Sequence, residues 1–314
     1  MGYKARRGRP RRTVEPNTHS CSLGLLLRNK SLEEAHRDSN LMKLMSGIMS
    51  ITNAQGIQLK MDTLSPQENR LLDGEAPHLP SMIGNRECQA LIVDGDHNEA
   101  DLDFLSRRLP VISIGRTYPT LSIDAVVADN VHGIERLVGH LVEFGHRHLA
   151  WVGPHYSCSF SEDRKTGFIK GCLAHDLDFD RRSIFGREIY RGESPALGIH
   201  DIRHPELLLK AMSEGVTAFV CGNDSVAYAV IAALEANGKR VPEDASVTGF
   251  DASYPSVPGS WNWRNLTGFD PEFFEIGKTA ARLALQRLVY PNDKTCVLSV
   301  RGELVLGDSI ARSN

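Results

Sequence analysis

The chain has 314 residues, enough for two domains of roughly 150 each and too many for one small core. Apolar residues make up 41% and charged residues 24%, which excludes wholesale disorder, collagen-like and coiled-coil chains, and no run of apolar residues is long enough for a membrane helix. The net charge is −3, but residues 1–12 hold Lys4, Arg6, Arg7, Arg9, Arg11 and Arg12 without an acid, so the other 30 basic residues face 39 acidic ones. A basic arm on an acidic body points to a polyanion as partner for the arm alone.

Residues 1–20, with Pro10 and Pro16, predict an arm or linker without a core of its own. Its positive charge has no apolar stretch behind it, which is unlike a secretory signal. Cys21, Cys88, Cys158, Cys172, Cys221 and Cys296 are scattered with no CxxC pair, which suits a reducing cytoplasm. From Cys21 onward short apolar runs alternate with helical periods. SLGLLL (22–27) predicts a buried strand, and 40–55 a helix with Leu41, Leu44, Met45, Ile48 and Ile51 on one face. IQLKM (57–61), ALIV (90–93) and VISI (111–114) predict strands, the last two separated by a helical stretch with Leu102 and Leu105. DAVVA (124–128) leads into a helix over 130–145 that Gly145 stops.

The pattern then restarts. LAWVG (149–153) predicts a strand and 161–174 a helix; REIY (187–190) a strand and 203–213 a helix; TAFVCG (217–222) a strand and 224–237 a helix ended by Gly238. SVTGF (246–250) is a further strand, followed by a helix over 271–290 and strands over 296–300 and 303–306. Strands apolar along their whole length, alternating with helices, predict an α/β fold of two doubly wound, Rossmann-like subdomains with parallel sheets covered on both faces. Ligands in such sheets sit beyond the carboxyl ends of the strands. Arg116, Asp129, Asn130, Asn223, Asp224 and Asp251 stand at such ends, and Arg164 lies in the helix after the LAWVG strand. A bidentate donor, carboxylates and an amide meeting in a cleft suit a hydroxyl-rich ligand.

Three segments together resemble the lactose-repressor (LacI/GalR) family of bacterial transcription regulators: VVADNVHGIERLVGHLVEFGHRHLAWVGP (126–154), SEDRKTGFIKGCLAHDLDFD (161–180) and TAFVCGNDSVAYAVIAALEANGKRVPEDASVTGFD (217–251). The third is the most specific, with Asn223-Asp224 ending a strand, Arg240-Val241-Pro242-Glu243-Asp244 after an Ala-rich helix, and Gly249-Phe250-Asp251. The resemblance covers about residues 22–310. It implies a periplasmic-binding-protein-like effector core whose two subdomains are joined by three crossovers. Mapped here, the N-subdomain would be 21–146 plus 264–292 and the C-subdomain 147–263 plus 293–310.

For the site, the resemblance implies effector contacts by Arg164, Asn223 and Asp251, with Arg116 and Asp129 behind them. Phe160, Trp261 and Trp263 are candidate stacking platforms for a sugar ring. Each has a structural alternative. Asp129 and Asp224 could cap the helices that follow them. Arg164 and Asp251 could form a domain-bridging ion pair without ligand, Arg116 could be a solvated loop residue, and the tryptophans could pack the crossover at 261–266. The sequence also departs from the family pattern. Asp38-Ser39-Asn40-Leu41 stands where aromatics are common after the first strand, Gly115 and Ala252 replace aspartates, and Gly307-Asp308-Ser309 replaces Arg-Glu-Ser.

The family reads DNA with an N-terminal helix-turn-helix in the major groove. Met1-Gly2-Tyr3 resembles the end of that headpiece, so the resemblance implies operator contact through a headpiece missing from this chain. The hinge that follows docks in the minor groove. Here Arg7-Gly8-Arg9-Pro10 looks like an AT-hook core, and Arg7, Arg9, Arg11 and Arg12 are the candidate DNA-contacting arm; salt-sensitive, non-specific phosphate attraction is the other reading. His146 and His148 lack a Cys or acidic partner at ligand spacing, so no metal is expected and a surface turn is. No GxSxG, Walker lysine or GxGxxG motif follows a strand, so neither an enzyme nor a cofactor is expected. The expected function is a cytoplasmic, ligand-responsive repressor, homodimeric and not membrane-bound, whose small-molecule effector is a sugar or sugar derivative. The alternatives are the solute-binding protein of a sugar transporter and a stand-alone sensor without DNA binding.

Overall fold

A computed structural model describes residues 21–28, 38–64, 80–154, 158–190, 202–253 and 265–313. The basic arm, including Arg7, Arg9, Arg11 and Arg12, and the tryptophans Trp261 and Trp263 lie outside the described residues.

The first sheet holds six parallel strands in the order β11-β5-β4-β3-β1-β2: β1 (Ser22–Arg28), β2 (Gln58–Leu64), β3 (Ala90–Asp94), β4 (Val111–Ile114), β5 (Asp124–Ala128) and β11 (Val297–Val300). Side chains alternate across a strand, and both faces are buried. Leu23, Leu25 and Leu27 enter one core with Leu44, Ile48, Ala280 and Ala284, from α1 (Ser39–Ala54) and α8 (Phe273–Val289). Leu26, Leu91 and Val93 enter the opposite core with Met82, Leu102 and Leu105, from α2 (Ser81–Gly84) and α3 (Glu99–Ser106).

Helices α1 and α8 cross in direct backbone contact. A Cβ at Gly47 would lie 2.0 Å from the Phe274 carbonyl oxygen, and one at Gly277 would lie 2.0 Å from that of Leu44. Backbone cannot give way as a side-chain tip can. Gly277→Ala is therefore expected to cost about 1–3 kcal/mol by overpacking, read as a lower melting temperature; a variant melting with the wild type would show that the two helices separate freely.

The second sheet is parallel, in the order β7-β6-β8-β9: β6 (Leu149–Val152), β7 (Ile184–Phe185), β8 (Ala218–Cys221) and β9 (Ser246–Thr248). Ala150, Val152, Phe219 and Cys221 face α6 (Pro205–Ser213) and α7 (Asp224–Ala236). Leu149, Trp151, Ala218 and Val220 face α4 (Asn130–Glu143) and α5 (Ser159–Ala174).

Three expectations change. The residues 187–190 form a 3-10 turn, Arg187–Ile189, and the strand is the shorter Ile184–Phe185 before it. Helix α4, expected in the first subdomain with the boundary at 146, buries Ile134, Leu137, Val138 and Leu141 against Trp151 and Phe168 of the second. The chain therefore crosses at Asp129, directly after β5. Strand β11, expected in the second subdomain because the boundary fell at 293, pairs with β5 of the first. The other two crossings are β10 (Gly268–Asp270) and β12 (Glu303–Val305), which pair antiparallel.

The C-terminal residues return along the second lobe. Ser309 Oγ donates to the Val247 carbonyl at 2.6 Å, and the Ala311 amide donates to Ser246 Oγ at 3.0 Å. His146, expected in a surface turn, is buried here. Its Nε2 donates to the Ala311 carbonyl at 3.0 Å, leaving Nδ1, 2.8 Å from Thr217 Oγ1, to accept from that hydroxyl.

Candidate functional site

The carboxyl ends of β5, β6, β8 and β9 bring the expected residues toward one place. Its centre is Arg164, on the second turn of α5. That helix is started by Ser161, whose Oγ accepts from the Cys158 amide at 2.9 Å. Arg164 is almost wholly buried, and each guanidinium nitrogen has its own acceptor. Nε donates to Asn130 Oδ1 at 2.9 Å, Nη1 to the Gly222 carbonyl at 2.7 Å, and Nη2 to Asp251 Oδ1 at 2.9 Å. The guanidinium also lies over the Phe250 ring, 3.7 Å from its centroid, a cation–π contact in a desolvated setting. Asn130 opens α4, Gly222 follows β8 and Asp251 follows β9. The expected Arg164–Asp251 pair therefore forms, but inside the second lobe instead of bridging the two.

Asp251 keeps its second carboxylate oxygen outside this pair, and its side chain is 20% exposed. Burial raises its pKa, the Arg164 charge opposes the rise, and the carboxylates of Asp38 and Asp270 add to it. Asp38 belongs to the first lobe, where Oδ1 caps α1 by accepting from the Asn40 and Leu41 amides, each at 3.0 Å. In the same turn Asn40 Oδ1 is buried without a hydrogen-bond partner among the described residues.

The other candidates separate. Asp129 sits at the cap position of α4, yet its side chain makes no capping bond, so its carboxylate stays uncommitted to the helix at the crossover. Asn223 is the cap of α7: its Oδ1 accepts from the Val226 amide at 2.8 Å and from Ser225 Oγ at 3.0 Å. The capping role expected of Asp224 thus belongs to its neighbour. Arg116 is not a solvated loop residue. Its Nη1 lies 3.1 Å from Asp96 Oδ1, with the Arg116 side chain 19% exposed. Phe160 has two guanidinium groups over its ring, Arg116 at 5.4 Å and Arg164 at 5.1 Å. It links the first-lobe arginine to the second-lobe one. Beside it the Thr117 amide of the first lobe donates to Ser159 Oγ of the second at 3.0 Å.

One contributor was not singled out from the sequence: Ser159 looks like an ordinary helix-start residue, and nothing local marks it as the partner of Thr117. Asn130 was placed at a strand end, but nothing local marks it as the partner of Arg164. Asp163, next to Arg164 on α5, also has its pKa raised by burial.

In chemical terms the described donors here are largely spent on protein acceptors. What is left over is carboxylate: Asp251, 20% exposed, and Asp129, whose side chain makes no capping bond. No group of three or more His, Cys, Asp or Glu side chains among the described residues could hold a metal ion. No helix among the described residues is long and apolar enough to cross a membrane.

A sequence model of the periplasmic binding protein-like domain matches residues 138–310. The HTH-type transcriptional repressor PurR of Aliivibrio fischeri is 25% identical over 280 residues, covering 86% of this chain and 77% of its own. The HTH-type transcriptional regulator GalR of Salmonella typhimurium is 30% identical over 180 residues, 56% of this chain and 50% of its own. Among solved structures, the transcriptional regulator CelR in complex with cellobiose superposes with a TM-score of 0.73 at 20% identity, covering 92% of this chain and 84% of that one. At that identity the likeness speaks for the fold.

Proposed function

The chain belongs to the periplasmic binding protein-like domain family, with an effector-binding core of the lactose-repressor (LacI/GalR) kind, and on that premise we propose that it senses a small, hydroxyl-rich molecule, a sugar or sugar derivative, between its two lobes. Its relatives are transcription regulators and not enzymes. The proposed output is repression of target genes by a cytoplasmic homodimer that contacts operator DNA, with Arg7, Arg9, Arg11 and Arg12 as the minor-groove arm.

One observation carries the ligand reading. Each guanidinium nitrogen of Arg164 has a protein acceptor while the side chain fixes Asp251, so the pair presents a held carboxylate edge more than a free cation. Such an edge accepts hydrogen bonds from ligand hydroxyls and disfavours an anionic ligand. Asp129, whose side chain makes no capping bond, supplies a further acceptor, and Arg116 with Phe160 closes one side. The lobes join at Asp129, at β10 and at β12, so a ligand held by both would bias their relative setting. It does so only by binding one setting more tightly than the other.

A thermal-shift panel tests the ligand part. Cellobiose and other neutral mono- and disaccharides are compared with the corresponding sugar phosphates. A sugar present at a hundred times its Kd is expected to stabilise the fold by about 2.7 kcal/mol, a rise of several degrees. Shifts from phosphorylated sugars alone would overturn it. For the output, immunoprecipitation of the natural gene product from its host's chromatin should enrich short symmetric DNA sites and lose or gain them when that sugar is supplied.

A further inference from the structure

Asp224 follows the α7 cap and takes no part in the Arg164 network. It is nonetheless buried, at 3% exposure. Its backbone amide donates to the Phe250 carbonyl at 2.8 Å, which joins the start of α7 to the end of the β9 strand. Its side chain reaches past Gly249 to the turn beyond. There Oδ2 accepts from the Ser253 amide at 2.6 Å and from Ser253 Oγ at 3.1 Å. A Cβ at Gly249 would lie 2.2 Å from Asp224 Oδ1, so only glycine lets the carboxyl through.

The turn it holds is strained. Asp251 has φ 113° and Ala252 φ 45°, both positive and both non-glycine. Such a conformation persists only where its surroundings over-determine it. One end is tied by the Asp251 amide, which donates to the Phe269 carbonyl at 2.9 Å. The other end is tied by Ser253 to Asp224.

We propose that Asp224 is the positioning residue for Asp251: through Ser253 it clamps the 251–253 turn in the left-handed conformation that turns the Asp251 carboxylate toward Arg164 and the ligand. The ligand half of this statement rests on the function proposed above; the clamp itself does not.

The clamp is also linked to protons. Asp224 has its pKa pushed up to about 8, first by burial and then by the Asp251 charge, against the Ser253 hydrogen bonds and the Arg164 charge. Its Oδ1 has no partner among the described residues, so the ionised form would leave one charged oxygen unsolvated. The groups facing it are Asp251 from the β9 turn, Arg164 from α5 and the Cys221 thiol from β8. Burial, followed by the Asp224 charge, pushes that thiol well above its ordinary value, so it stays neutral throughout. Near neutral pH the clamp is accordingly a neutral acid. Toward pH 9 it becomes a second carboxylate beside Asp251.

The test uses the whole chain and needs no ligand in its first two arms. In arm one, the Ser253 amide shift is followed by NMR from pH 6 to 10. It should inflect near pH 8 and be flat in Asp224→Asn. A flat wild-type curve, or an inflection that survives Asp224→Asn, overturns the proposal. In arm two, Ser253→Ala should speed amide exchange at 251–253 about tenfold with the melting temperature little changed, and Ser253→Thr, which keeps the hydroxyl, should restore it; unchanged exchange in Ser253→Ala also overturns it. In arm three, a sugar found in the thermal-shift panel should bind Ser253→Ala about tenfold more weakly than wild type or Ser253→Thr, and equal binding removes the link to the ligand. If no sugar binds the wild type, the function reading fails while arms one and two still decide the clamp.

Discussion

Replacing Arg164 with methionine is expected to lower the melting temperature by about 10 °C and to remove the stabilisation by sugar that the proposed function predicts. Methionine keeps the stem and most of the volume, so packing on Phe250 is largely retained. The three hydrogen bonds are lost together. Asn130 Oδ1, the Gly222 carbonyl and Asp251 Oδ1 then lack the donors now 2.7 to 2.9 Å away. Breaking a buried pair from one side costs about 3–5 kcal/mol because the remaining charge is uncompensated. At about 2–4 °C per kcal/mol for a chain of this size class, that gives the stated shift.

The same substitution has a pH signature. Asp251 already has a raised pKa from burial, held in check by Arg164, and without Arg164 it rises further. An acid whose folded pKa lies above its unfolded one contributes stability that is full below the unfolded value and is lost as pH climbs through the folded value. The deficit of Arg164→Met should therefore be smaller at pH 5 than at pH 8. Calorimetric melts at both pH values check this. Lysine at 164 keeps the charge but is a point donor and cannot serve three separated acceptors, so it should recover part of the stability and little of the binding. A methionine variant that melts with the wild type at pH 8 would mean that the hub holds nothing together.

Much of this architecture was legible in the residues. Short, largely apolar runs such as SLGLLL and TAFVCG fit a strand covered on both faces, and Leu26 facing away from Leu25 and Leu27 is that pattern realised. The lobe to which a helix belongs was not legible. The apolar stripe of α4 reads the same against either sheet, and only its packing on Trp151 and Phe168 assigns it. For the same reason the crossover lies at Asp129 and not after the helix. Arg164 and Asp251 were singled out through a family resemblance; the partners Asn130 and Gly222 lie 34 and 58 residues from Arg164 in sequence, beyond any local pattern. The choice between Asn223 and Asp224 as cap turned on one residue of register, which composition does not set. The structure also ties Arg116 to Asp96, twenty positions apart. One further signal lies in the residues: a charge stands in each of two apolar patterns, Asp124 at the head of DAVVA and Arg287 on the buried stripe of α8.

That pair supports the second large effect. Asp124→Asn is expected to lower the melting temperature by about 10 °C while leaving unchanged the binding of any sugar that stabilises the wild type in the thermal-shift panel. The Arg287 side chain is 6% exposed and that of Asp124 4%. Nε donates to Oδ2 at 2.6 Å and Nη2 to Oδ1 at 2.7 Å, a bidentate fork. Oδ1 also accepts from the Cys296 amide at 2.8 Å, and Nη2 donates to the Lys294 carbonyl at 2.7 Å. One carboxylate thus fastens the head of β5, the end of α8 and the entry to β11. Asparagine offers one acceptor and one donor to a fork that only donates, so an amide N–H meets a guanidinium N–H and the charge of Arg287 stays buried alone. The cost expected is about 3–5 kcal/mol. Strand β11 should loosen first, since it lies at the edge of the sheet and Val297 and Leu298 are already exposed. Faster amide exchange at 297–300 with unchanged exchange at 251–253 would locate the damage. The double variant Asp124→Leu with Arg287→Met should recover most of the loss, because two apolar groups leave no charge unpaired. If the double variant were as unstable as the sum of its singles, the two residues would not be acting as a pair, and the fastening of β11 would have to come from elsewhere.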